Sequence, residues 1–354
     1  MINRISTNIK INKNYSISNK SKTFIVAEIS GNHVGKIENV FKSIDQIKNA
    51  GADAVKIQSY EPNTITIKSK NKNFFIKDNS IWKGQYLYDL YKTSFTPFSW
   101  HKKIFSYAKK KNLICFSSPF DLTSLNVLKK NDCPIYKIAS PEIQDLNLIQ
   151  HVAKTQKPII ISTGIADDKD IRLAINECIK NGNHKIILLN CISSYPAKPI
   201  ELNLKNIIQL KSYCPIVGFS DHSVGNTAAI ASVALGAKVI EKHFILNKKI
   251  NSADKNFSIT SKKFFDFVNE IRETEKMLGK MNVNKKKILR NKLTTITRSL
   301  FYKIDLAKGT KIKKEDIVSA RPGIGISPQY LNKILGKKLK KNVKKNTAVQ
   351  TKDI

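Results

Sequence analysis

Short apolar runs alternate along this chain with longer stretches that have helical spacing. Residues 23–30 (TFIVAEIS) form a β-branched run that is apolar at most positions, which is typical of a buried parallel strand. Residues 38–50 then place Val40, Ile44 and Ile47 on one face of a predicted helix. The pattern therefore predicts a strand followed by a helix.

The same unit recurs eight times. The predicted strands cover residues 23–30, 53–59, 113–118, 134–140, 158–163, 186–191, 215–220 and 238–243. The predicted helices cover residues 38–50, 99–111, 122–130, 146–154, 167–181, 203–211, 225–235 and 261–278. Eight such units over roughly 250 residues favour an α/β fold of the (β/α)8 TIM-barrel type, because a doubly wound sheet usually has only about five or six strands.

Four segments fall outside this repeat. Residues 1–22 alternate weakly and predict an N-terminal hairpin that closes the bottom of the barrel domain, residues 23–279. The connection 60–100 is long and aromatic, so it is either a lid over the substrate or a packing excursion. Residues 280–294 form a basic linker, and residues 295–354 predict a small second domain with short strands and turns. At about 60 residues this domain is near the lower limit for independent folding.

Polar residues gather at or just beyond the carboxyl ends of the predicted strands. In a TIM barrel these ends build the active site. The residues concerned are Glu28, Lys56, Gln58, Ser117, Ser118, Lys137, Ser140, Glu142, Ser162, Thr163, Tyr195, Ser220, His222, Glu241 and His243.

Two histidines, His222 and His243, end consecutive predicted strands. Neighbouring parallel strands point their carboxyl ends at one mouth, so the imidazoles could bind a divalent metal together, although either could instead be structural. With no obvious third ligand, such a metal would keep water or bind substrate oxygens and act as a Lewis acid. Asp221 and Glu241 could orient these ligands.

Lys56 and Lys137 lie on inward strand faces, where a buried ammonium group is costly unless it is paired. A phosphate group would satisfy both, and short serine hydroxyls could surround its oxygens, although each serine could simply end a strand. Glu28, Glu142 and Asp254 are candidates for proton transfer or for binding hydroxyl and amide groups of a polyol.

The composition is that of an ordinary globular enzyme apart from its charge. Hydrophobic residues make up 41% of the 354, no apolar run approaches the ~20 residues that span a bilayer, and no signal peptide opens the chain, so we expect a cytoplasmic location without a membrane partner. The five cysteines are odd in number and form no Cys-x-x-Cys pair, which predicts reduced, mostly buried thiols.

The formal net charge of +35 raises a nucleic-acid-binding alternative. Lysine is spread along the whole chain beside abundant asparagine and isoleucine, as an AT-biased genome would produce. Only residues 282–287, 337–341 and 344–345 are dense basic runs, and no aromatic ladder accompanies them. We therefore expect no nucleic-acid partner, and a salt-dependent gel shift would show the opposite.

Seven segments together resemble the bacterial nonulosonic (sialic) acid synthases. They are FIVAEISGNH (24–33), GADAVKIQSYEPNTIT (51–66), YKIASPE (136–142), IISTGIA (160–166), VGFSDHSVG (217–225), GAKVIEKHF (236–244) and RPGIGISP (321–328). The resemblance covers nearly the whole chain from residue 23 onward.

This resemblance implies a barrel enzyme with a C-terminal antifreeze-like (SAF) domain. Such enzymes condense phosphoenolpyruvate with the open aldehyde form of an N-acetylated amino sugar and release phosphate. It implies His222 and His243 as ligands of Mn²⁺, Mg²⁺ or Co²⁺, and catalytic roles for Glu28 and Glu142. The implied phosphoenolpyruvate contacts are Lys56, Ser118, Lys137, Ser140, Ser162 and Ser220; the implied sugar contacts are Glu28, Gln58, Tyr195, Asp254 and Arg321. Arg321 would act on the partner subunit of a domain-swapped homodimer.

The segment 82–91 with Thr96, Pro97 and Trp100 resembles the pseudaminic acid synthase branch, which implies 2,4-diacetamido-2,4,6-trideoxy-L-altrose as the sugar. Two departures from that branch are Gly31, where alanine is more usual, and Ser-Ala-Asp at 252–254. N-acetylneuraminate and legionaminate synthases remain alternatives. A synthase for a sugar phosphate would need a further basic cluster, which the sequence does not place.

Overall fold

The computed structural model describes residues 2–78, 80–279 and 292–354. The chain divides into two compact units, Met1–Gly279 and Lys280–Ile354. Most of the predicted basic linker, residues 280–291, lies outside the described residues.

The first unit begins with an antiparallel hairpin of β1 (Asn8–Asn12) and β2 (Tyr15–Ser18), in which Ile9 lies opposite Ile17. Both isoleucines are completely buried and belong to the core of this unit. The weak alternation in residues 1–22 thus follows from a hairpin that has one apolar face.

Eight parallel strands follow and close into a barrel. They are β3 (Phe24–Glu28), β4 (Ala54–Ser59), β5 (Ile114–Pro119), β6 (Tyr136–Ile138), β7 (Ile159–Ser162), β8 (Ile186–Cys191), β9 (Val217–Asp221) and β10 (Val239–Ile245). Each strand pairs with the next, and β10 pairs with both β9 and β3, so the sheet has no open edge. A two-residue strand, β11 (Ile259–Thr260), extends from β10. The predicted TIM barrel is confirmed.

Ten α-helices belong to this part of the described chain, besides short 3₁₀ helices. They are α1 (Ile37–Asn49), α2 (Pro62–Ile65), α3 (Leu87–Ser94), α4 (His101–Lys110), α5 (Leu122–Lys130), α6 (Leu146–Ala153), α7 (Asp168–Lys180), α8 (Asn206–Leu210), α9 (Thr227–Ala234) and α10 (Ser261–Leu278). Local sequence fixes several helix starts. Asp167, for example, caps α7 by accepting a hydrogen bond from the Asp170 backbone N–H at 2.8 Å.

Strands β9 and β10 approach each other closely because of Gly218. A Cβ built on Gly218 would lie 2.3 Å from the Val239 carbonyl oxygen, so any side chain there would push the strands apart. In the register of these two strands Ser220 lies opposite Glu241. This register determines which side chains meet at the barrel mouth.

The core of the first unit also holds all five cysteines as buried free thiols: Cys115, Cys133, Cys178, Cys191 and Cys214. Burial raises the pKa of each of these thiols.

The second unit has its own small core. Antiparallel strands β12 (Ser299–Tyr302) and β13 (Ile317–Ala320) precede the short helix α11 (Leu331–Ile334). Leu300, Tyr302 and Val349 are among its buried residues. Over the described parts of the whole chain, no helix is both long and apolar enough to cross a membrane.

Candidate active site

A small pocket opens at the carboxyl ends of the barrel strands. It is lined by Lys56, Gln58, Ser118, Lys137, Ala139, Ser140, Pro141, Ser162, Cys191, Tyr195, Ser220, His222, Glu241 and His243. The structure thus brings together every one of the serines, lysines and histidines that the sequence predicted for substrate or metal binding, together with Gln58 and Tyr195. Strands β4, β5, β6, β7, β9 and β10 each contribute at least one of these residues.

The two histidine rings lie side by side in this pocket, with their centroids 5.4 Å apart. His222 Nδ1–H donates to the Ile192 carbonyl oxygen at 2.8 Å, which leaves Nε2 as the nitrogen with a free lone pair. Nδ1 of His243 is buried and has no hydrogen-bond partner among the described residues. Burial lowers the pKa of both rings, that of His222 to about 4, so both are neutral at pH 7.

Neutral imidazole nitrogens without hydrogen-bond partners are the donor atoms that a divalent transition metal prefers. The histidine pair therefore fits such an ion in donor type and protonation state. Within the described ranges no group of three or more His, Cys, Asp or Glu side chains could hold a metal, so other ligands would have to be water or substrate oxygens.

The two buried lysines share one carboxylate. Glu241 Oε1 lies 3.5 Å from Lys56 Nζ and 3.9 Å from Lys137 Nζ. Lys56 also forms a close ion pair with Glu28 and lies 3.4 Å from Ser118 Oγ. The negative charge that balances the lysines thus comes partly from the protein itself, from Glu241 and Glu28. The sequence had suggested other roles for both carboxylates.

These contacts control the charge states in the pocket. Burial acts to lower the pKa of Lys56, but Glu241 and Glu28 outweigh burial and raise that pKa. Burial lowers the pKa of Lys137, although Glu241 opposes the change. Burial also raises the pKa of Glu28 to about 7. Positive charge in a dry pocket is then only partly neutralised, which favours an anionic ligand.

Small polar groups complete one wall of the pocket. Ser162 Oγ is buried and lacks a hydrogen-bond partner among the described residues, whereas Ser140 Oγ accepts from the Ile165 N–H at 3.0 Å. Gly164 lets the backbone of this wall pack directly against Cys191, since a Cβ there would lie 2.5 Å from Cys191 Sγ. An unsatisfied hydroxyl of this kind is available to a ligand oxygen.

Aromatic rings form the outer wall. The Tyr195 ring lies 4.4 Å from the His222 ring, 4.9 Å from Phe257 and 5.4 Å from Trp82, centroid to centroid. Trp82 Nε1–H also donates to the Ala253 carbonyl oxygen at 3.1 Å. The long segment 60–100 therefore reaches the mouth of the barrel at Trp82, where it joins the loop that carries Asp254.

Three predicted carboxylates do not line the pocket: Glu28 and Asp254, which are buried, and Glu142, which is half-buried. Glu142 follows β6 in a short 3₁₀ helix, Ser140–Gln144, and burial raises the pKa of its carboxyl group to about 7. Asp254 accepts a hydrogen bond from the Gly31 N–H at 3.3 Å, and burial raises its pKa as well.

Asp221 does not contact either histidine ring; its carboxylate pairs with Lys242, and the Ile192 carbonyl orients His222 instead. Arg321 is an exposed residue of the second unit that precedes a cis peptide bond to Pro322, and its predicted sugar contact stays a prediction.

Sequence reasoning missed the bridging position of Glu241 and the pocket position of Cys191. Cys191 is the last residue of β8, so the strand-end rule that selected the serines could have found it. The contribution of Phe257 had no such signal, because it depends on how the loop after β10 folds back.

Comparison with known proteins decides the family. The NeuB family profile matches residues 43–283, and the SAF domain profile matches residues 297–354. The chain belongs to the NeuB family. It is accordingly a nonulosonic acid synthase that ends in a SAF domain, and the resemblance inferred from its motifs is confirmed.

Individual NeuB-family relatives agree with this assignment. A pseudaminic acid synthase of Campylobacter jejuni is 41% identical over 335 residues, which cover 94% of this chain and 96% of that protein. An N,N'-diacetyllegionaminic acid synthase of the same species is 34% identical, covering 93% and 99%. The crystal structure of an N-acetylneuraminic acid synthetase from Leptospira borgpetersenii superposes with a TM-score of 0.71 at 31% identity, covering 82% and 98%.

Proposed function

We propose that this NeuB-family enzyme condenses phosphoenolpyruvate with 2,4-diacetamido-2,4,6-trideoxy-L-altrose and water to give pseudaminic acid and phosphate. The observation that carries the proposal is the joint presence, in one pocket, of two neutral histidines and two lysines that share Glu241. This set provides for a divalent cation and an anionic enol ester side by side.

In this proposal the phosphoenolpyruvate anion lies against Lys56 and Lys137, with the hydroxyls of Ser118, Ser140, Ser162 and Ser220 around it. The free Ser162 Oγ and the Ser118 Oγ beside Lys56 support this placement. His222 and His243 would hold Mn²⁺, Mg²⁺ or Co²⁺, which supplies Lewis-acid polarisation of a carbonyl oxygen when bound. Gln58, Tyr195, Asp254 and Glu28 would contact the sugar, and Arg321 would reach it from the partner subunit of a domain-swapped homodimer.

The chemistry forms one carbon–carbon bond and breaks one carbon–oxygen bond. C3 of phosphoenolpyruvate attacks the aldehyde carbon, and the aldehyde oxygen takes a proton from solvent and becomes a hydroxyl group. Water adds to the electron-poor C2 and gives up a proton to Glu142, since a carboxylate with a pKa near 7 suits a general base at neutral pH. The adduct then expels phosphate with the bridging oxygen, and the C2 hydroxyl gives its proton to the departing phosphate and becomes a keto group.

The choice of sugar depends on similarity. The 41% identity to a pseudaminic acid synthase exceeds the 34% to a legionaminic acid synthase of the same organism. Of the departures noted in the sequence, Gly31 has a structural counterpart: a Cβ there would lie 2.8 Å from Ser94 Cβ, so an alanine would force α3 to shift. Ser252 donates a hydrogen bond to Asn32 Oδ1, which ties its loop to the loop that follows β3.

The deciding experiment measures phosphate release from phosphoenolpyruvate with a panel of amino sugars, before and after chelation of metal. We expect release with the 2,4-diacetamido-L-altrose substrate, and little with N-acetylmannosamine or with the legionaminate precursor. Chelation should abolish it. A strict preference for N-acetylmannosamine would refute the choice of sugar, and full activity after chelation would refute the metal.

Two further measurements test the anion site and the bond that breaks. Lys137→Met should abolish phosphoenolpyruvate binding, whereas exposed Lys154→Met, its matched control, should not. Phosphoenolpyruvate labelled with ¹⁸O at the bridging position should give labelled phosphate. Unlabelled phosphate would exclude the carbon–oxygen cleavage described above.

A further inference from the structure

The strands that carry the two histidines also carry a buried ion pair that faces away from the pocket. Asp221 lies directly opposite Lys242 in the β9–β10 register, and Lys242 Nζ lies 2.7 Å from Asp221 Oδ2. Their side chains are 0% and 1% exposed, and neither lines the pocket. Because side chains alternate along a strand, Glu241 and His243 point inward while Lys242 points outward.

Lys242 has two further contacts beyond the barrel end. Its ammonium group donates to the carbonyl oxygens of Ser223, at 2.5 Å, and Gly225, at 3.2 Å. Asp221 Oδ1 in turn accepts from the Ser223 N–H at 2.8 Å and from the Ser223 hydroxyl at 2.6 Å. The loop that begins at His222 is therefore tied down by a charged network on one side.

His222 lies inside this tied segment. On the other side its carbonyl oxygen accepts from the Ala197 N–H at 3.0 Å, and its Nδ1–H donates to Ile192, as described above. The direction of Nε2 therefore depends on where the backbone of residues 221–225 is held. The Lys242 network is the part of that restraint which comes from side chains other than that of His222 itself.

We infer that Lys242, together with Asp221, is a positioning residue for His222: it fixes the loop so that Nε2 faces His243 across the pocket. The inference rests on the proposed function, in which these imidazoles bind the metal. A well-packed apolar pair in place of a buried ion pair would often stabilise a fold equally well. An apolar pair would not donate the hydrogen bonds that Lys242 makes to the carbonyl oxygens of Ser223 and Gly225.

The test uses the neutral double variant Asp221→Asn/Lys242→Met in the full-length protein. It leaves no unpaired buried charge, and the amide oxygen of the introduced side chain can still accept from the Ser223 N–H, so the fold should be retained. We expect the Kd for Mn²⁺, measured by calorimetry with the metal alone, to rise about 10- to 100-fold, as is typical when the support of a metal ligand is lost. Backbone amides of residues 221–225 should also exchange faster.

The matched control is Asp53→Asn/Arg272→Met, which removes another ion pair, of 2.7 Å, away from the pocket. This control should change stability without changing Mn²⁺ affinity. If the Asp221→Asn/Lys242→Met variant binds Mn²⁺ as tightly as the wild type while His222→Ala loses binding, the positioning role is refuted and the metal site stands. If His222→Ala also binds normally, the proposed metal site and this inference both fail.

Discussion

Replacing Glu241 with glutamine removes one negative charge from between two buried lysines and keeps the side-chain shape. The carboxylate oxygen lies 3.5 Å and 3.9 Å from the two ammonium nitrogens. At an effective dielectric constant of about 20, unit charges at such distances attract by about 4 kcal/mol. Breaking a buried pair by removing one partner costs about 3–5 kcal/mol, so E241Q without ligand should melt well below the wild type.

An anion should reverse this loss. Inorganic phosphate can replace the missing negative charge, and in E241Q it no longer meets the repulsion of the Glu241 carboxylate. We therefore expect phosphate to bind E241Q at least about tenfold more tightly than wild type, a difference of about 1.4 kcal/mol. Phosphate should also raise the melting temperature of E241Q by more than that of the wild type.

Calorimetric titration with phosphate and thermal melts with and without it provide the measurement. Asp53→Asn is the control, because it removes a carboxylate from an ion pair that does not line the pocket and should leave phosphate affinity unchanged. Weaker phosphate binding by E241Q would refute the reasoning, since it would mean that Glu241 holds the lysines in place for the anion more than it competes with it.

Three further predictions concern other parts of the barrel unit. Glu142→Gln should lower kcat about 10²- to 10⁴-fold, because it removes the proposed general base. In a kcat–pH profile, wild-type activity should fall as the pH drops below about 7, the pKa of Glu142. The same fall in the profile of the variant would contradict the role of Glu142 as base. Trp82→Ala should raise KM for the sugar about tenfold with KM for phosphoenolpyruvate unchanged, in steady-state assays, because it opens the aromatic wall; equal changes in both would argue against this. Burial lowers the pKa of His33 from 6.5 to about 4. Between these pH values His33 is protonated in the unfolded chain but neutral in the folded one, so the free energy of unfolding falls as the pH drops from 6.5 to 4. Urea unfolding should show that His33→Gln removes about 3 kcal/mol of that pH dependence, and an unaltered dependence would show that His33 stays neutral for another reason.

The barrel was predictable because its signal is repeated. Each strand is buried on both faces and therefore reads as a continuous apolar run, and each helix has a regular apolar stripe. A residue at a strand end, such as Ser162, or close to one, such as His243, then lies at the barrel mouth because of the topology alone. That is why most pocket residues could be named from the sequence.

What the sequence left open depends on contacts between distant loops. Trp82 lies at the mouth, where its indole N–H donates to the Ala253 carbonyl, which is 171 positions away in the chain. Glu241 lies between Lys56 and Lys137 because three different strands bring these side chains together. The spacing of residues along any one strand does not predict such a contact. The same is true of Lys242, because no periodic pattern in the sequence predicts its contacts with the loop carbonyls.

The burial of the cysteines has a practical consequence. Apart from Cys191, which lines the pocket, every thiol is enclosed in the core, and burial raises the pKa of all five. The native enzyme should therefore react only slowly with alkylating or disulfide reagents at neutral pH, and first at Cys191. Assays can then run without added reductant, even when a metal that reductants would sequester is present. The rate at which such a reagent labels the four core cysteines would then report how often the barrel opens.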